Sequence, residues 1–122
     1  MNKKRRAIYE KSNGHCWYCG CKLGDKGWHA DHFEPIRRNR DGTCCFPERD
    51  TEENKVPACA SCNNMKGSYD LEVFRNIVKE FITTLNKYST QYKIAKRYGL
   101  IEEKPREVVF WFESNTLGGD GE

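Results

Sequence analysis

Three short runs of this sequence hold the residue types that do chemistry. Trp28-His29-Ala30-Asp31-His32 sets a carboxylate beside an imidazole at the end of an extended segment. The run from Asn54 to Gly67 adds the carboxamides of Asn54 and Asn63 around Cys59-x-x-Cys62, and Cys16-x-x-Cys19 is a matching knuckle upstream. Two sulfurs at that spacing in a tight turn reach one tetrahedral zinc at about 2.3 Å, so the two knuckles predict one closed site of Cys16, Cys19, Cys59 and Cys62. A closed site has no open position for water. Its expected work is structural, clamping the N-terminal segment to a downstream one. Redox use of Cys-x-x-Cys needs a thioredoxin-like βαβ context, which the chain lacks.

The elements around these runs can be read from periodicity and punctuation. Residues 3–12 read as a helix anchored by Ala7 and Ile8 and ended by Ser12-Asn13-Gly14. Residues 28–33 read as a strand closed by Pro35. Alternation puts His29 and Asp31 on one face and Trp28, Ala30 and His32 on the other, while at a strand end both faces can border one cavity. Residues 36–53 are polar, aperiodic and carry four arginines, a loop long enough to expect contact with substrate. A second strand over 54–58 and a short helix over 60–66, stopped by Gly67, follow. Leu71, Phe74, Ile77, Val78, Phe81, Leu85 and Tyr88 then predict one core-facing helix. A basic helix over 90–98, a strand over 107–113 and a disordered tail over 114–122 complete the chain. The expected organisation is a core over 1–68, a helical and strand extension over 69–113 packed on it, and the tail.

Bulk properties narrow the class. A chain of 122 residues that is 37% hydrophobic and 32% charged has a thin core and needs a staple. Seven cysteines, an odd number, and a basic rather than apolar N-terminus argue for reduced thiols and an intracellular setting. No apolar run approaches the roughly 20 residues that span a bilayer. The net charge of +3 would fall to about +1 once four thiolates hold zinc. Attraction to a polyanion must therefore come from local clusters such as Lys3 to Arg6, Arg37, Arg38 and Arg40, and Lys93, Lys96 and Arg97, each of which is otherwise a solvated surface.

Cys16-Trp-Tyr-Cys19-Gly, Ala30-Asp31-His32-Phe-Glu-Pro35, Asn54-Lys-Val56 and Cys59-Ala-Ser-Cys62-Asn63-Asn-Met-Lys66-Gly67 together resemble the HNH nucleases of the ββα-metal fold, in their four-cysteine branch. The resemblance covers about residues 5–68 and implies that Asp31 is a metal ligand, His32 the general base and Asn54 a brace for the loop between strands. Asn63 stands where many members carry histidine, giving an H-N-N variant with an all-oxygen protein contribution to the metal. Residues 70–113 resemble, less specifically, C-terminal extensions of small phage-type members. The fold implied is α+β: a ββα-metal core stapled by zinc, with C-terminal helices and a strand.

Elementary chemistry points the same way. A phosphodiester repels nucleophiles, so a cation must neutralise developing charge and a base must take a proton from water. Oxygen donors from Asp31 and Asn63 favour Mg²⁺, with Mn²⁺ able to substitute, and a histidine titrating near neutrality suits the base. The leading expectation is a DNA endonuclease with structural Zn²⁺, acting as a monomer or homodimer. A zinc-stapled module that binds nucleic acid without cutting it, or a structural adaptor in a larger assembly, would not need the Asp31, His32 and Asn63 set. Four readings stay open. His29 is a hydrogen-bonding neighbour of Asp31, an added metal ligand or a surface residue. Lys66 contacts phosphate or is a solvated charge at a helix end. Cys44 and Cys45 pack the loop or form an auxiliary ligand pair, and Cys21 is close enough to compete for zinc.

Overall fold

The computed structural model describes residues 1–115 and divides into two units, the first formed by Met1–Leu71 with the chain from Val109 on, the second by Glu72–Val108. In the first unit, helix α1 (Lys3–Glu10) begins where the Asn2 side chain accepts the Arg5 N–H at 2.8 Å, satisfying an otherwise orphaned donor. It ends in a turn through Asn13 and Gly14, both at positive φ. Gly14 also lies where a Cβ would meet the Tyr9 hydroxyl at 2.9 Å. Buried Ile8 and the Arg5 guanidinium, 3.8 Å over the Trp28 ring, attach α1 to the core.

Strand β1 (His29–His32) pairs antiparallel with β2 (Lys55–Ala58), Asp31 opposite Val56 and His32 opposite Lys55. Pro57 cannot donate to a ladder, yet its carbonyl accepts the Trp17 N–H at 2.8 Å and so fastens the first knuckle beside β2. Between the strands, the long loop is ordered by a ladder of its own. Cys45 and Phe46 donate to the carbonyls of Arg37 and Ile36, and short 3-10 turns follow at Pro47–Arg49 and Glu52–Asn54. Helix α2 (Ala60–Lys66) starts on the second knuckle, with Cys59 as its cap, and stops at Gly67.

The strand expected over 107–113 does not form. Its aromatic residues serve another purpose: Trp111 and Phe112 donate their N–H groups to the carbonyls of Tyr18 and Trp17, at 2.8 and 3.0 Å, and Trp111–Asn115 turns as a short helix, α6. Phe112 stacks on Trp17 at 5.3 Å and Phe110 meets Tyr18 edge-on at 5.8 Å. Gly20, at φ +81°, is required there, because a Cβ would come within 2.5 Å of Trp111. Of the tail expected over 114–122, Ser114 and Asn115 are helical and residues 116–122 lie outside the described residues.

In the second unit the single helix expected after Asp70 is two, α3 (Leu71–Lys79) and α4 (Phe81–Tyr88). At Glu80 the backbone N–H is shared between the carbonyls of Asn76 and Ile77 and ψ relaxes to −1°, a break that apolar spacing does not reveal. Helix α5 (Thr90–Arg97) is capped by Ser89. Glu103 accepts from Lys96, Asn86 and Tyr92 at 2.7–2.9 Å, and these bonds draw its carboxyl down to about 2. No described helix is long and apolar enough to cross a membrane.

Candidate active site and metal centre

The sulfur atoms of Cys16, Cys19, Cys59 and Cys62 all lie within 4.8 Å of one another. Sulfurs about 2.3 Å from a tetrahedral zinc are about 3.8 Å apart, and Cys19 Sγ and Cys59 Sγ are 3.8 Å apart. Backbone N–H groups of Cys19 and Cys59 point at Cys16 Sγ at 3.5 and 3.3 Å, and that of Cys62 at Cys59 Sγ at 3.4 Å. Such donors favour thiolates. The Cys16 thiol is held well below its ordinary range, first by the hydrogen bond from Cys62 and then, against burial, by these backbone groups. The four residues fit a structural zinc. Cys44 and Cys45 stand outside the cluster, and Cys45 Sγ instead reaches Asn39 Oδ1 at 3.5 Å within its own loop, whereas Cys21, not one of the four, borders them with its thiol hydrogen-bonded to Cys19 and Cys59.

The end of β1 carries the second centre. Asp31 points inward and is buried, while His32 is partly exposed on the other face. One Asp31 oxygen, Oδ2, accepts the Tyr18 hydroxyl at 2.6 Å and lies 3.2 Å from Lys66 Nζ. Tyr18 comes from the first knuckle and is fixed in its protonated form, because burial and then the neighbouring Asp31 carboxylate push its ionisation well above the usual range. Lys66 is 0% exposed and also donates to the His32 carbonyl at 3.0 Å. This corrects its reading as a phosphate contact or a solvated helix-end charge: a buried ammonium needs a paired carboxylate, and Asp31 is that partner. Among the described residues nothing hydrogen-bonds to the other Asp31 oxygen, Oδ1.

His32 Nε2 lies 2.9 Å from Asp50 Oδ1, at the end of the long loop. Asn54 fastens that loop three ways, donating to the carbonyls of Glu34 and Arg49 at 2.8 and 2.7 Å and accepting the Glu34 N–H at 2.9 Å. Asp31 and His32 open onto a cavity of about 180 Å³ that Arg37, Arg38, Gly67 and Ser68 also line. Arg37 holds a left-handed backbone, φ 54°, which a non-glycine residue adopts under constraint and which is concentrated at functional sites. Asn63 lies in the middle of α2, three residues before Lys66, half-buried and outside that cavity's lining. Its carboxamide has no hydrogen-bond partner among the described residues. His29 is exposed and takes no part in the Asp31 bonds, although it is two residues away on the same strand.

Arg40 is exposed in the loop. In the second unit Lys96 is committed to Glu103 at 2.8 Å, which leaves Arg97, exposed, and Lys93, half-exposed, for other partners. Reading by sequence missed Tyr18 and Asp50. A tyrosine inside a knuckle and an aspartate in a polar loop carry no spacing signal, and only the pairing of β1 with β2 brings either to the site.

A two-stranded antiparallel ribbon followed by a short helix, stapled by four cysteines and closing an Asp-His pair, is an α+β metal-knuckle architecture. Residues 16–69 match the family model described as HNH endonuclease. Among solved structures, the Type II-C Cas9 enzyme from Actinomyces naeslundii is similar with a TM-score of 0.48 and 23% identity, over 80% of this chain and 10% of that one. The chain thus spans a tenth of that enzyme's length. No curated protein matches the chain.

Proposed function

We propose that the chain hydrolyses DNA phosphodiester bonds, with His32 as general base. The observation that carries this reading is the convergence of Asp31, His32, Arg37 and Arg38 on one open cavity. The guanidinium groups of Arg37 and Arg38 seat a backbone phosphate. His32 takes a proton from a water molecule, the resulting hydroxide oxygen bonds to phosphorus, and the opposite P–O bond breaks, its oxygen leaving with the electron pair and gaining a proton from solvent. A divalent cation, Mg²⁺ or Mn²⁺, when bound, neutralises charge that builds on the phosphate oxygens. Asp31 Oδ1 and the Asn63 carboxamide are its proposed protein donors, few enough to suit an ion that keeps much of its water.

The second unit supplies grip. Residues 72–108 hold eight lysines and arginines against five acidic residues, whereas the remainder of the chain holds thirteen of each, so the net positive charge of the chain resides in that unit. Phosphate contacts from Lys93 and Arg97 there, and from Arg40 in the first unit, give sequence-independent affinity that falls with salt.

Supercoiled plasmid incubated with the purified protein tests the reading. Conversion to nicked circles with Mg²⁺, and none with a chelator of divalent cations weaker than the zinc site, is expected; one Asp-His pair per chain makes one cut, so nicked circles should precede linear DNA. Plasmid bound but uncut at every Mg²⁺ and Mn²⁺ concentration would reduce the protein to a binding module. In Asn63→Ala, partial recovery by higher metal concentration is expected, which no metal should give to His32→Ala.

A further inference from the structure

Asp50 is the carboxylate nearest the proposed base, and its surroundings say how it acts. Its Oδ1 lies 2.9 Å from His32 Nε2. An ionised carboxylate accepts hydrogen bonds and donates none, so the ring nitrogen facing it must carry the hydrogen. Asp50 stays ionised because the hydrogen bond from His32, and then Lys55 with its ammonium 3.7 Å away, hold its carboxyl below the usual range. A neutral imidazole has one N–H. With that hydrogen on Nε2, the lone pair sits on Nδ1, and a base acts through its lone pair.

The carboxylate is also held in place. The Asp50 N–H closes a turn on the Pro47 carbonyl at 3.1 Å, and one residue earlier the Arg49 carbonyl takes the Asn54 carboxamide at 2.7 Å. Asn54 therefore reaches His32 through Asp50: bracing the loop fixes the acceptor that the ring faces. We propose that Asp50 is a positioning residue that locks His32 in its Nε2–H tautomer and presents Nδ1 to the attacking water. The proposal rests on His32 being the base.

Because Asp50 is half exposed, its loss should reduce kcat by about tenfold, far less than loss of the ring itself. KM for DNA should stay level or fall, since a negative charge leaves the neighbourhood of a polyanion. Two variants of the full chain, Asp50→Ala and Asp50→Asn, are measured with His32→Ala and Lys55→Ala as controls. The first readout is the kcat and KM of plasmid nicking. The second needs no activity: ¹⁵N shifts of the His32 ring, recorded without Mg²⁺ or Mn²⁺, report its tautomer.

Expected are an Nε2–H ring in the parent protein, a mixed tautomer and reduced kcat in Asp50→Ala, and partial recovery of both in Asp50→Asn, whose carboxamide oxygen can still accept. Lys55→Ala should keep the parent tautomer. An Asp50→Ala protein with parental tautomer and parental kcat, beside an inactive His32→Ala, overturns the positioning role and leaves the base reading standing. Normal cutting by His32→Ala overturns the base reading itself. Faster cutting by Asp50→Ala would show that the carboxylate only repels DNA.

Discussion

Asp31 and His32 are joined by one peptide bond and held by opposite means. Asp31 is gripped from inside by two buried groups, a tyrosine hydroxyl from the first knuckle and a fully buried ammonium from α2. His32 is gripped from outside by a half-exposed carboxylate on a loop. The difference follows from the work proposed for each. A metal ligand must keep its position while a cation enters and leaves, so a rigid, low-dielectric frame serves it. A base must stay in reach of water and exchange its proton with solvent, which a buried partner would hinder.

Removing the frame common to both should have the largest effect. Cys59→Ser, or stripping zinc with a strong chelator, is expected to unfold the first unit, because zinc binding supplies on the order of 10 kcal/mol in knuckle domains. Circular dichroism with metal analysis checks it; a folded, zinc-free protein would break the argument. Lys66→Met tests the inner grip alone. It leaves the Asp31 carboxylate buried without its cation and should cost about 3 to 5 kcal/mol in urea denaturation. His32→Ala tests the outer side and should lower cleavage by about 10² to 10⁴ with almost no loss of stability. If His32→Ala destabilises as much as Lys66→Met, the two sides are not built differently. Tyr18→Phe keeps the ring and deletes one bond to the carboxylate, for an expected loss of about 1.5 to 3 kcal/mol. Smallest of all, Cys44→Ser and Cys45→Ser should stay within about 0.5 kcal/mol of the parent, since the four-sulfur site is complete without them.

Much of the inner frame was legible because ligand chemistry imposes spacing. Two Cys-x-x-Cys pairs announce their common site whatever lies between them, whereas Asp31, His32 and Asn54 stood out only through the resemblance to HNH nucleases, the strand pattern alone having placed Asn54 in β2 rather than in the turn before it. Lys66 was not legible. A lysine at the end of a short polar helix has the pattern of a solvated charge, and only the packing of α2 on β1 buries it. Residues 107–113 show the same limit from the other side: valines and aromatics favour a strand, but a strand needs an edge to pair with, and here the backbone donors find the carbonyls of the first knuckle. The stripe from Leu71 to Tyr88 holds for buried Phe74 and half-buried Leu71, Ile77, Val78 and Phe81 but fails at Leu85 and Tyr88, which are exposed, and it said nothing of the break at Glu80, because one shared amide leaves the periodicity almost intact.

Phe110, Trp111 and Phe112 cover the knuckle that carries Tyr18, and they are far downstream of everything else in the first unit. A ribosome delivers the chain from its N-terminus, so all four zinc ligands emerge well before that cover does. At about 5 to 20 residues per second, the interval between Cys62 and Phe112 lasts about 3 to 10 seconds. During it the nascent protein can already hold its metal, with the aromatic wall behind Asp31 still bare. The order of synthesis thus gives this fold a timed final step: the scaffold is stapled early, and the wall that steadies the acidic residue closes only when the returning segment arrives.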